Sequence, residues 1–227
     1  MTELFVRDDL AAAHRLAWEH LARPGSWWTG AQRVELANTV LGAIRDTEPL
    51  PPWGSVSAVA GRLPGDHVAP AIAHDIAYRI ARHAGTITED LYRRVADELG
   101  ALPYVELVSV VTTVAAVAHF DRNVGLTVPD LPEPVAGEPT GEVAGDLVQP
   151  RYNWVPVRAP ADELPAVVQA YTAVPGEFAN LWRMSDAQYM PASEMIDPRW
   201  TRRDGGMSRP QIELVASRVA LLRECFY

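Results

Sequence analysis

The sequence predicts an all-α helical bundle, on three observations. Apolar residues recur at helical spacing in segment after segment. Helix-start signatures stand in front of several of these segments. The strongest apolar segment, 104–124, is too long for a strand and apolar nearly all round, which places it in the middle of a bundle.

Segment 8–21 reads as the first helix, with Leu10, Ala13, Leu16, Ala17 and Leu21 in phase and Arg23-Pro24-Gly25 as its stop. Thr29 followed by Gln32 is a capping box, so a second helix runs through Val34, Leu36, Ala37, Val40, Leu41 and Ile44. Segment 46–66 is a Pro/Gly-rich loop anchored by Leu50-Pro51-Pro52-Trp53-Gly54. Helices follow over 68–83 and 89–99, with Thr86 and Glu89 read as the cap of the latter. Pro103 opens the long apolar helix. Val105, Val108, Val111, Thr112, Ala115 and Ala118 make one face of it, and Leu107, Val110, Val114 and Val117 another.

Segment 127–160 carries prolines at 129, 132, 134, 139, 150, 156 and 160, and the density predicts a linker without regular structure. Two helices follow over 161–172 and 175–189, then a polar loop over 191–206. The last helix starts at a second capping box, Ser208 with Gln211. Met207 and Ile212 are placed as a hydrophobic staple, and Pro210 sits in the first turn. Ile212, Val215, Ala216, Val219, Leu222 and Phe226 are expected to form one apolar face. Aligning Thr29 with Ser208 pairs Ala37 with Ala216 and Val40 with Val219, which predicts an internal repeat. The expected organisation is therefore a first helical unit over 1–126, the linker over 127–160, and a second unit over 161–227 that is incomplete.

Composition narrows the function. A net charge of −9 with no basic run argues against nucleic-acid binding. No apolar run is expected to span a bilayer, and the acidic N-terminus has no signal-type apolar stretch, so the expected location is the cytoplasm. A single cysteine excludes an intrachain disulfide and a cysteine-based metal cluster. All 20 basic residues are arginine. That removes Walker-type phosphate loops, kinase-type ATP sites and Schiff-base enzymes, each of which needs a lysine amine. His14, His20, His67, His74, His83 and His119 make no pair at metal-ligand spacing, so neither a metal nor another cofactor is expected.

The final helix carries one further pattern. Cys225 stands twelve residues after Glu213, with cap and apolar phase in agreement. This resembles the front of the motif of the alkylhydroperoxidase D-like / carboxymuconolactone decarboxylase family: Glu, eleven residues, Cys, two residues, Cys, three residues, His. The second Cys and the His fall beyond Tyr227. The segments Gly85-Thr86-Ile87-Thr88-Glu89 and Tyr104-Val105-Glu106-Leu107-Val108, together with the linker, also look like long, two-unit members of that family.

The resemblance implies a two-thiol peroxidase that reduces hydroperoxides through a Cys-x-x-Cys or Cys-x-x-selenocysteine pair, takes electrons from a thiol donor and is a homo-oligomer. Cys225 would be the resolving sulfur and Glu213 part of the proton relay, and both are carried as the catalytic candidates. A UGA codon for selenocysteine after Tyr227, read as a stop, would account for the ending. The chain as written holds only half the site, and turnover is not expected from it. At the repeat offset Val34 and Asp46 occupy the Glu and Cys places in the first unit, whose site is therefore degenerate.

Blander readings stand beside these. Cys225 also reads as an inert terminal thiol, and Glu213 as an acid favoured near a helix N-terminus. Glu106 reads as a capping-turn residue, the favoured reading, or as a buried carboxylate with a partner. His119 reads as a hydrogen-bonded core imidazole. Trp27, Trp28, Trp53, Trp154, Trp182 and Trp200 read as packing anchors. The alternative function is a non-catalytic helical scaffold or oligomerisation protein.

Overall fold

The structure is a computed structural model that describes residues 6–49, 57–151, 153–160, 166–195, 197–201, 206–223 and 225. The fold is all-α. Its helices are α1 (Asp8–Ala22), α2 (Gly30–Arg45), α3 (Ala71–His83), α4 (Glu89–Leu99), α5 (Ala101–Val124), α6 (Ala166–Gln169), α7 (Pro175–Gln188) and α8 (Arg209–Leu222). The loop anchor around Trp53, the first residues of the helix expected at 161–172, and Phe226 lie outside the described residues.

Local chemistry sets most boundaries. Thr29 caps α2 as expected: its Oγ1 accepts from the Gln32 amide at 3.3 Å, and Gln32 Oε1 accepts from the Thr29 amide at 3.0 Å. The α8 cap also forms, the Ser208 amide donating to Gln211 Oε1 at 2.8 Å. The cap of α4 is Thr88 and not Thr86: Thr88 Oγ1 accepts from the Leu91 amide at 3.2 Å, while Thr86 Oγ1 donates to the His83 carbonyl. Helix α3 begins later than 68 because Pro70 is its N-cap. Helix α5 begins earlier than 104, since Pro103 in the first turn costs no intrahelical bond. Gly125, at φ 79°, supplies the left-handed residue that ends α5.

Helix α5 is the centre. Leu107, Val110, Val114 and Val117 meet Leu36 and Val40 of α2, Ala73 and Ile76 of α3 and Leu21 of α1 in one core. Helix α7 packs against α1 and α5. By length and composition α5 is apolar enough to cross a bilayer, which corrects the expectation that no run qualifies. Most of it is buried among the other helices.

The proline-rich segment is more ordered than predicted. It contains an antiparallel pair, β1 (Leu147–Val148) with β2 (Val157–Arg158), in the register Leu147 to Arg158 and Val148 to Val157. It also runs as a strap over the helices. Trp18 Nε1 donates to the Asp130 carbonyl, and amides of Val135, Thr140 and Gly141 donate to carbonyls of Ala22, Gly25 and Ser26. Proline removes donors, but the amides between prolines still find acceptors on the bundle.

Helix α8 departs from its expected packing. Among its residues only Ile212 is buried, with Glu213, Ala216 and Ala220 half-buried beside it. Val215, Val219 and Leu222, expected on the same buried face, are more than half exposed, as are Leu214 and Leu221. One side of the helix, with Leu214, Val215, Leu221 and Leu222, has no neighbour among the described residues.

Candidate functional site

The polar centre of the bundle is built on Glu106, whose favoured reading as a capping-turn residue is overturned. Glu106 is fully buried in α5 and holds Arg33 of α2. Arg33 Nη1 donates to Glu106 Oε1 at 2.5 Å and to Glu177 Oε1 of α7 at 2.7 Å. Glu106 Oε2 accepts from the Trp27 amide at 2.8 Å. Glu177 is further bonded to His20 Nε2 of α1 at 2.9 Å and to Ser109 Oγ of α5 at 2.5 Å. One guanidinium thus ties α2, α5 and α7 together, and His20 extends the network through α1 towards the surface.

The two carboxylates differ. Burial opposes ionisation of both, yet Arg33 and the His20 bond overcome it for Glu177 and hold its carboxyl at about 2. For Glu106, burial together with the charge of Glu177 outweighs Arg33 and pushes the carboxyl upward. Two carboxylates on one cation cannot both gain from ionisation. The one with the additional donors ionises more readily.

A folded pKa held below its ordinary value of 4.5 contributes stability above that value, lost as pH falls towards 2. The Glu106 shift has the opposite sign, so its protonation favours the fold. Urea titrations at stepped pH are expected to show a loss over this acid range that is flattened in Glu177→Gln and retained in Glu106→Gln.

Next to this network lies a cavity of about 260 Å³ between α5 and α7. Ser109, Thr113, Asn180, Met184, Gln188 and Tyr189 are on its wall. Ser109 joins it to Glu177, and Asn180 Nδ2 donates to Thr113 Oγ1 at 2.9 Å. The wall is mainly apolar with a few fixed hydroxyl and amide groups, the usual make-up of a small-molecule pocket.

Tyr189 carries the cavity to the sequence candidate Glu213. Its hydroxyl donates to Glu213 Oε1 at 2.6 Å, and Arg209 pairs with the same oxygen. Both donors, Tyr189 first, keep the Glu213 carboxyl below its ordinary range. Cys225 is exposed beyond the end of α8, and its amide donates to the Ala220 carbonyl at 2.9 Å, so the chain is turning at the cysteine. The described residues do not bring Glu213 and Cys225 together. Twelve residues of helix span roughly 18 Å.

His119 is half-buried in α5, and its Nε2 has no hydrogen-bond partner among the described residues, unlike the core imidazole expected. Burial, then Arg223 near the end of α8 and Arg122, lower its pKa and favour the neutral ring. The core histidine is His74, whose Nδ1 bonds Thr39 Oγ1 at 2.7 Å. No group of His, Cys, Asp and Glu among the described residues is arranged to hold a metal ion.

Of the tryptophans, Trp28 is a buried anchor that donates to the Pro103 carbonyl, and Trp154 is largely exposed, stacked on Tyr92. Arg33, Glu177, His20 and Ser109 were not among the sequence candidates. Comparison with protein-family models, characterised proteins and solved structures finds no match to this chain.

Proposed function

We propose that the chain is a helical thiol-redox protein of the alkylhydroperoxidase-like kind, in which Glu213 and Cys225 form half of a peroxide-reducing site. The observation that carries this reading is the bond between Glu213 and Tyr189. It connects the carboxylate singled out by the motif to the wall of a cavity suited to a small hydroperoxide. At the other end of the same helix, Cys225 is exposed, where a second thiol can reach it. Helices α2 and α8, which share the capping box, are the equivalent elements of two units, the first without a redox pair.

A thiolate or selenolate attacks the outer oxygen of the hydroperoxide, the O–O bond breaks, and the alcohol leaves with a proton. The resulting sulfenic or selenenic acid is attacked by the Cys225 thiolate, forming an S–S or Se–S bond and releasing water. Two electrons from a thiol donor then restore the pair. The sequence holds one cysteine, so the attacking group comes from a residue after Tyr227 or from a second molecule. The Cys225 proton leaves with the water released, and Glu213 with Tyr189 steadies the hydroperoxide where the attacking group is carried back alongside them.

The reading is tested by hydroperoxide consumption with a thiol donor by the chain extended past Tyr227 with the second Cys and the His of the motif. Tyr189→Phe is expected to lower its turnover by at least about tenfold, with the fold intact by circular dichroism. Unchanged turnover removes the Glu213–Tyr189 bond from the mechanism.

The second reading, a scaffold, is favoured by the exposed Leu214, Val215, Val219, Leu221 and Leu222 of α8. Such a face promotes self-association. Leu214→Glu with Leu221→Glu is expected to convert an oligomer to a monomer in sedimentation. If oligomers persist, α8 is not the contact.

A further inference from the structure

A second cavity, about 390 Å³, lies between α1, the C-terminal part of α5 and the proline-rich strap. Its wall is almost wholly apolar, with Trp18, Val117, Phe120, Leu126, Pro129 and Pro132. One ionisable group stands out on it. Asp121 is 7% exposed, and its carboxyl has no hydrogen bond or ion pair among the described residues, while its backbone carbonyl accepts from the Leu126 amide.

Three effects weigh against a carboxylate there. It is partly desolvated, its carboxyl has no protein partner among the described residues, and it sits in the last turn of α5, where the helix dipole disfavours negative charge. Burial accordingly raises its pKa. None of the neighbouring charges answers it. Arg15 and Glu19 on the rim pair with each other at 2.9 Å, and burial keeps His14 neutral, its Nε2 bonded to Gln188. Arg122 on the same turn is turned away to the Ile44 carbonyl. Trp18 Nε1 is already used by the Asp130 carbonyl, which leaves its ring as an apolar wall. The Phe120 ring, held edge-on to His14 at 5.1 Å, makes another.

We infer that this cavity binds a small organic ammonium ion, with Asp121 as its counter-ion and Trp18 and Phe120 packing its apolar body. The inference is independent of the redox site. A cation supplies the missing partner, and aromatic faces beside a carboxylate favour a charged amine over a neutral alcohol of the same length.

The test uses the intact chain and three probes of equal chain length: octylammonium, octanoate and 1-octanol, titrated by calorimetry and by tryptophan fluorescence. The expected result is saturable binding of octylammonium, at least about tenfold tighter than the other two. Asp121→Asn, which keeps the shape of the side chain, is expected to erase that preference. Equal affinity for all three probes in the wild-type chain overturns the inference without reliance on any variant. So does an undiminished ammonium preference in Asp121→Asn.

Discussion

Arg33→Met is expected to cost about 3–5 kcal/mol of folding stability. The reason is not the strength of an ion pair as such. Arg33 is fully buried, and methionine fills much of its volume, so packing alone predicts a small loss. What the change removes is the only cation that two buried carboxylates, Glu106 and Glu177, share among the described residues apart from what His20 can lend.

The Arg33 Nε and Nη2 atoms have no partner among the described residues, so part of the desolvation cost of the guanidinium is already borne. That lowers the net figure but leaves the sign. Adding Glu106→Gln and Glu177→Gln to Arg33→Met is expected to regain part of the loss, since no charge is then stranded. A loss of less than about 1 kcal/mol on chemical denaturation, the size of an exposed pair, would show that the carboxylates reach water.

Gly25→Ala is expected to destabilise by about 3 kcal/mol, a large effect for the addition of one methyl group. A Cβ at this position would overlap Glu106 Oε1 and Arg33 Nη1. Gly25 cannot easily move away. Its amide donates to the Trp28 carbonyl at 2.9 Å, and its carbonyl accepts from Thr140 of the strap at 3.0 Å. The methyl group must therefore separate the ion pair. Since Gly25→Ala and Arg33→Met act on the same contact, the double variant should lose much less than the sum. Additive losses would mean that Gly25 acts through the strap alone.

Much of the fold was legible because it rests on local signals. Both capping boxes formed at Thr29 and Ser208, and the all-round apolar pattern of 104–124 placed α5 at the centre. Other features were not legible, because they depend on what an element meets. The strap reads as linker because prolines destroy ladders, yet its remaining amides find acceptors on α1 and the following turn. Val215, Val219 and Leu222 read as buried because periodicity reports that a face is apolar and not that another element covers it.

The buried network shows the same division. Glu106 reads in the sequence as a capping-turn residue or a buried carboxylate, and nothing near it in the sequence names its partner. Arg33 falls in phase with Leu36, Ala37 and Val40 on the buried face of α2, an arginine in a core register, and that signal was available. Glu177 gave less away. An acid in the first turn of a helix is ordinary, and only the packing of α7 on α5 makes it the second carboxylate of the pair. Asp121 had a fainter signal still, an acid in the wrong end of a helix.

The central claim is that Cys225 and Glu213 are half of a two-thiol site. Hydroperoxide consumption with a thiol donor tests it most directly, on the 227-residue chain and on a version carrying cysteine directly after Tyr227 and histidine four residues later. The account predicts negligible turnover by the first and turnover by the second, abolished by Cys225→Ser and lowered by Glu213→Gln. Turnover by neither version, or turnover by the second that survives Cys225→Ser, would contradict it.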